Sequence, residues 1–271
     1  MTVQDLAKKE HWDDCYTESK KTSQKKWTPK GYDSRVIEHI ILKIINRCNP
    51  KTILEIGCGN STWLPYLAKI TNAQVTGIDY SEEGCRLALQ RLKQDGIQGK
   101  IVCEDIFKAN HEIIGQYDFV YSLGVVEHFS DLTGILKEEL RFVKPGGILF
   151  TEIPNLKYSI HGLLSWIYQP ELLKKHNKIS KKELIKAYES CCLKNIEVNY
   201  AGIFSLGIVA WGKYPRWKKP SKFFIPLMIL VIKGIDYVLA IIKYYKGFAF
   251  TSPYIYAFGE KEKNLDESSP H

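Results

Sequence analysis

Two glycines and two acids carry the most specific chemistry in this chain. Gly57 and Gly59 stand in Ile53-Leu54-Glu55-Ile56-Gly57-Cys58-Gly59-Asn60-Ser61, and Asp79 closes the run Gly77-Ile78-Asp79-Tyr80-Ser81. The first stretch reads as a short buried strand, a tight turn and a helix start; the second is a strand ending in an acid. Glycines at such a turn carry no Cβ, so the backbone can approach a ligand closely. An acid 22 residues beyond the first glycine falls where a pair of ribose hydroxyls meets a carboxylate. This spacing predicts a nucleoside-containing ligand. The dinucleotide fingerprint places a third glycine where this chain has Thr62, and Glu55 lies two residues before the first glycine. A carboxylate there repels a pyrophosphate and attracts a cationic group.

Further segments follow in a fixed order. They are Cys103-Glu104-Asp105-Ile106-Phe107, then Tyr117-Asp118-Phe119-Val120-Tyr121-Ser122-Leu123-Gly124-Val125-Val126-Glu127-His128-Phe129, then Leu140-Arg141-Phe142-Val143-Lys144-Pro145-Gly146-Gly147-Ile148-Leu149. Together with the glycine turn and Asp79, they resemble the motifs of class I S-adenosylmethionine-dependent methyltransferases over about residues 50–155. The resemblance implies S-adenosyl-L-methionine as cofactor. It implies contacts from the turn at Gly57, Cys58 and Gly59, with Cys58 acting through its backbone. Glu55 would act through water or by fixing the loop near the methionine amino group. Asp79 would take the ribose hydroxyls, and Tyr80 would flank the adenine. Asp105, with Glu104 and Ile106 beside it, would accept from the exocyclic amine. Ser122 and Leu123 would contribute from the end of the fourth strand. Tyr16, in His11-Trp12-Asp13-Asp14-Cys15-Tyr16, resembles an N-terminal segment that closes over the cofactor. His128 falls just after the fourth strand, where it serves either as a general base or in fixing the loop. There is no Asn-Pro-Pro-Tyr type sequence, which argues against that amide- and base-methylating subclass. No metal ligand is assigned.

The elements needed to position these groups are legible. Val36, Ile40, Ile41, Ile44 and Ile45 recur at helical spacing within 32–48. Strands are expected at about 51–56, 74–79, 100–104, 117–122 and 147–153, alternating with helices at about 61–71, 82–95 and 131–142. Ser81 is a helix N-cap and Gly96 a stop. Alternation of this kind requires right-handed crossovers and a parallel sheet covered on both faces, with ligands at the carboxyl ends of the strands. A helix after Ser180-Lys181-Lys182-Glu183, which has capping-box spacing, and strands near 195–201 and 254–260 complete the pattern. The expected fold is α/β: a Rossmann-like, doubly wound, mostly parallel seven-stranded sheet with helical lid insertions. Residues 1–31 form a polar and aromatic cap segment and 32–260 the main domain, with insertions at about 155–179 and 203–252. Residues 261–271 form a polar tail expected to be disordered.

Composition narrows the partners. The chain has 271 residues, a net charge of +8 and seven cysteines without a C-x-x-C pair. With no apolar leader at the N-terminus, a reducing cytoplasmic setting is expected. Lysines cluster at 20–30 and 213–222, but no nucleic-acid-binding module accompanies them, so RNA methylation is the weaker alternative. Residues 223–245 are apolar except for Lys233, Asp236 and Lys243. Charges at the centre of that stretch disfavour a membrane span. A lid, a homodimer contact and peripheral docking at a membrane surface remain open. Together with the aromatic insertion at 155–179, this segment favours a small, hydrophobic or lipid-like acceptor methylated on oxygen or carbon. A non-catalytic cofactor-binding partner is the other alternative.

Overall fold

The computed structural model describes residues 3–18, 28–29, 31–109, 111–205, 231, 234–235, 237–239 and 241–263. The lysine clusters at 20–26 and 213–222, most of 223–245 and the tail beyond 263 therefore lie outside the described residues.

Along the chain, α1 (Lys9–Glu18) and α2 (Tyr32–Cys48) precede β1 (Thr52–Ile56). Then come α3 (Trp63–Thr71), β2 (Gln74–Asp79), α4 (Glu82–Asp95), β3 (Gly99–Cys103) and β4 (Tyr117–Leu123). The series continues with α5 (Leu132–Phe142), β5 (Val143–Pro154), α6 (Ile160–Tyr168), α7 (Pro170–Leu173), α8 (Lys181–Ser190), β6 (Lys194–Ala201) and β7 (Tyr254–Glu260). The seven strands form one sheet in the order β3-β2-β1-β4-β5-β7-β6. All pairings are parallel except those of β7, which runs antiparallel to both β5 and β6.

The local chemistry accounts for the element ends. Ser81 accepts from the Gly84 amide at 3.0 Å to start α4, and Gly96 ends it at φ 68°, a left-handed conformation that costs a residue without Cβ little. The capping box is present at α8, where Ser180 and Glu183 satisfy each other's backbone amides.

Each face of the sheet has its own core. One face packs Val36, Ile41 and Ile44 of α2 and Leu64 and Leu67 of α3 against Ile53, Phe119 and Phe150. The other packs Ile135 and Leu136 of α5 and Leu184 and Tyr188 of α8 against Leu54, Val120 and Leu149. Strands buried on both sides explain why β1 and β4 read as nearly continuous apolar runs. The order of β1 and β4 marks the switch point: the connections leave in opposite directions, opening a crevice at their carboxyl ends.

Candidate active site

The turn after β1 sits in that crevice. Gly57 has φ 70°, and a Cβ on it would lie 2.6 Å from Cγ2 of Val125. Its amide and that of Cys58 both donate to the carbonyl of Ile78, at 2.8 and 3.1 Å, and the Gly59 amide donates to Oδ2 of Asp79 at 2.8 Å. The amides of 57, 58 and 59 are thus spent holding the turn to β2. The glycines present close backbone to the crevice, as expected, but these three amides do not form an anion cradle. The Cys58 side chain points down against Gly77, where a Cβ would meet its Sγ at 2.6 Å, so only the backbone of Cys58 serves the turn.

Asp79 is buried. Besides the Gly59 amide it accepts from the Ser81 amide at 2.8 Å and is hydrogen-bonded by the Tyr16 hydroxyl. Burial raises its pKa, and the two amides with Tyr16 offset part of that rise. Tyr16 of α1 lies directly over the turn: a Cβ on Gly59 would fall 2.0 Å from its oxygen. The tyrosine therefore covers the carboxylate expected to meet a ribose, and a sugar reaching Asp79 has to displace that hydroxyl.

Two cavities adjoin at Tyr16, Gly57 and Leu123. The first, of about 280 Å³, is lined by Asp79, Tyr80, Glu104, Asp105, Ile106, His128 and the N-terminal residues Val3, Asp5 and Trp12. The second, of about 390 Å³, is lined by Glu55, Gly57, Cys58, Gly59, Ser61 and Glu152. Small-molecule sites occupy about 300–1,000 Å³. All but one of the residues expected to touch the cofactor line one of these cavities. The exception is Ser122, which is fully buried beside Glu139 and lines neither. Alternation along β4 is the reason: Leu123 turns to the crevice and Ser122 to the core.

Asp105 caps the turn after β3, its Oδ1 accepting from the Phe107 amide at 3.1 Å. Tyr80 donates to Oδ2 of Asp5 at 2.7 Å, which ties the first cavity's wall to an N-terminal strap. That strap runs beside residues 128–130: Leu6 donates to the His128 carbonyl at 2.8 Å, and Ser130 to the Gln4 carbonyl at 2.9 Å. Neither Asp5 nor Val3 carries a sequence signal for this role.

Glu55 is buried on the other side of the turn. Loss of solvent pushes its carboxyl up to about 8, with Ser61 and Tyr121 offsetting part of the rise and Asp79 adding to it. Without a cation beside it, Glu55 is mostly protonated at neutral pH. The attraction expected for a cationic group is therefore conditional on that group arriving.

His128 is buried against the edge of Trp12, with ring centroids 4.9 Å apart, and against His176 at 4.4 Å. Burial, reinforced by the neighbouring His176, lowers its pKa to about 4. Its Nδ1 lies 2.8 Å from the carbonyl of Lys175, so Nδ1 carries the proton and Nε2 the lone pair. A base titrating near 4 is poorly matched to proton abstraction at neutral pH, which weakens a simple general-base role.

The crevice thus sets a glycine turn between two acids at a sheet switch point, an arrangement that suits a nucleoside-containing ligand. Residues 54–151 match the family described as a methyltransferase domain. Over that stretch, a little over a third of its length, the chain resembles the class I S-adenosylmethionine-dependent methyltransferases. It is 28% identical over 158 residues to the ubiquinone biosynthesis O-methyltransferase of Idiomarina loihiensis, covering 55% of this chain and 64% of that relative. In structure it resembles an S-adenosylmethionine-dependent methyltransferase from Archaeoglobus fulgidus, with a TM-score of 0.54 at 17% identity, covering 84% of this chain and 92% of that one. It also resembles phosphoethanolamine N-methyltransferase 2 of Haemonchus contortus in complex with phosphomonomethylethanolamine and S-adenosylhomocysteine. That match has a TM-score of 0.59 at 15% identity and covers 95% of this chain and 59% of that one. The chain thus spans just under two thirds of the length of the Idiomarina relative, and these structural likenesses establish the fold.

Proposed function

We propose that the chain transfers a methyl group from S-adenosylmethionine to a hydroxyl or carbon of a small, hydrophobic or lipid-like acceptor. The observation that carries this is the pair of adjoining cavities with a carboxyl at each end. Asp79 and Asp105 suit a nucleoside in one, and Glu55 suits an ammonium in the other. The residues present fit the cofactor: Glu55 keeps a buried Oε2 with no hydrogen-bond partner among the described residues, an atom that a bound ammonium can satisfy once the carboxyl ionises. The name of the Idiomarina relative supports an oxygen acceptor.

Bound cofactor supplies an electrophilic methyl carbon, so the protein's own work is placement. Gly57 and Leu123 sit at the junction of the cavities and set the line of approach, a contribution of several kcal/mol when the reacting atoms are held in register. Trp12 and Tyr16 of α1, with the strap at 3–6, exclude water. His128, packed against Trp12 and His176, forms part of the wall of the first cavity. Calorimetric titration of the folded chain with S-adenosylhomocysteine tests the reading. One site per chain is expected, and no heat of binding from well-folded protein would overturn it.

A membrane-surface location of the acceptor is favoured by one specific observation. α6 exposes Leu163, Ile167 and Trp166, the last 67% exposed, and its Ile160 amide donates to the Phe250 carbonyl at 2.9 Å. That bond joins α6 to a turn bearing exposed Phe248 and Phe250, and the described residues of 231–241 are helical and largely exposed apolar side chains. Among the described residues no helix is long and apolar enough to cross a membrane. Flotation with anionic vesicles should carry the wild-type chain into the lipid fraction and leave a Trp166→Ser/Phe250→Ser variant behind. Absence of the wild type from lipid would defeat this location, and a concentration-dependent dimer would assign the surface to self-association.

A further inference from the structure

We propose that Glu127, His128 and His176 hold a divalent first-row transition-metal ion beside the methyl-transfer cavity. Each of the three residues offers one ligand atom, and these atoms all lie within 4.8 Å of one another. Tetrahedral ligands at bond lengths near 2.1 Å stand about 3.4 Å apart. The Nε2 of His128 and Oε1 of Glu127 are already 3.9 Å apart, and no pair in the set has to close by more than about 1.4 Å to reach that spacing.

The hydrogen bonding prepares the two imidazoles for this task. Nδ1 of His128 lies 2.8 Å from the Lys175 carbonyl, and Nδ1 of His176 lies 2.8 Å from the Leu172 carbonyl. A carbonyl can only accept, so in both rings Nδ1 is the protonated nitrogen and Nε2 carries the free lone pair. Backbone carbonyls fix metal-binding histidines in this way, setting both tautomer and ring orientation.

A second observation points independently to a ligand. Glu127 is 2% exposed, and its Oε2 has no hydrogen-bond partner among the described residues. Glu152, also buried, lines the same small cavity as Glu127 and His176, and among the described residues its Oε1 has no partner either. Buried carboxyls are normally paired or bound to a cation. A divalent ion would satisfy Glu127 directly and lower the cost of burying Glu152.

The donor set selects the ion. Two imidazole nitrogens with one carboxylate suit zinc, iron or cobalt rather than magnesium or calcium, which prefer all-oxygen shells. Three protein ligands leave a fourth position for water or an acceptor oxygen. Sequence spacing gives no hint of the site, since His176 follows His128 by 48 residues and arrives through the turn after α7.

The test uses the full chain with its exposed thiols removed, Cys103→Ser/Cys192→Ser, stripped by chelator and titrated with Zn²⁺ by calorimetry and with Co²⁺ by visible absorption. One ion per chain is expected. Glu127→Gln and His176→Ala should each weaken binding at least tenfold. His176→Cys should keep binding and add a thiolate-to-cobalt charge-transfer band, a signature that a merely structural role would not produce. Absence of saturable binding, or undiminished affinity in both Glu127→Gln and His176→Ala, overturns the proposal. Titrating the same stripped protein with S-adenosylhomocysteine separates the two readings: cofactor binding without metal binding removes only the metal site.

Discussion

Binding of the cofactor should expel a proton from Glu55, and the size of the effect follows from burial. The carboxyl titrates at about 8 in the free protein, so at pH 7 about ten chains carry the proton for each that lacks it. An ammonium placed beside the group favours the ionised form. If the complex holds Glu55 fully ionised, about 0.9 proton leaves per binding event at pH 7. The same linkage makes affinity rise with pH: the ionised fraction grows about 75-fold between pH 5.5 and 7.5 for a group titrating at 8. Ionising Glu55 costs about 1.4 kcal/mol at pH 7, one pH unit below its midpoint. Glu55→Gln avoids that cost but loses the charge-assisted contact, worth about 1.5–3 kcal/mol. A modest net loss of affinity and a flattened pH profile are therefore expected. The assay is calorimetric titration with S-adenosylmethionine at pH 7 in two buffers of different ionisation enthalpy, whose difference counts protons released. No proton release from the wild type, or equal release from Glu55→Gln, would refute the reasoning.

Other consequences can be measured on the same protein. Asp79→Asn removes the charge that a ribose hydroxyl would meet and keeps an acceptor for only one of the Gly59 and Ser81 amides, so S-adenosylhomocysteine affinity should fall about 10- to 100-fold. Ser180→Ala deletes the α8 capping box and should lower stability by about 1 kcal/mol in a denaturant titration, with cofactor affinity unchanged. The free protein should lose stability as pH rises from about 6.5 to 8, above the range in which the buried His128 and His161, lowered to about 4, oppose the trend. Glu55 and Glu139 are each pushed up by burial to about 8 from an ordinary 4.5, so in that window the folded state binds more protons than the unfolded chain. Each contributes a slope approaching 1.4 kcal/mol per pH unit, visible as a falling thermal midpoint; a midpoint that rises steadily over the window would contradict both assignments.

How much of this was legible in the sequence depends on whether a feature is local. Most strand and helix bounds from β1 to β7 follow from periodicity and caps, because Ser81, Gly96 and Ser180 act on amides within a few residues of themselves, whereas β5 starts at Val143, ahead of the Pro145-Gly146-Gly147 run that marks its expected start near 147. The glycine turn and Asp79 were legible for the same reason: the loop and the strand end are adjacent in a βαβ unit, so their spacing in sequence fixes their spacing in space. What the amides of that turn do was not legible, since their acceptors, Ile78 and Asp79, lie on a neighbouring strand. Ser122 shows a finer limit, since a shift of one residue along β4 exchanges core for crevice. The protonation of Glu55 needed three dimensions, because desolvation depends on what covers a carboxyl and not on its neighbours in the chain. The N-terminal strap and His176 were least legible of all. Asp5 reaches Tyr80 across 75 residues and His176 reaches His128 across 48, separations that carry no periodic signature. Yet these long-range contacts decide the chemistry. The segment bearing His176 also brings the Lys175 carbonyl that fixes the His128 tautomer and sets a second imidazole against a buried carboxyl, while the strap walls the cavity from water. A family motif can announce that a cofactor binds here. What the acceptor meets beside it is written in segments that the motif does not contain.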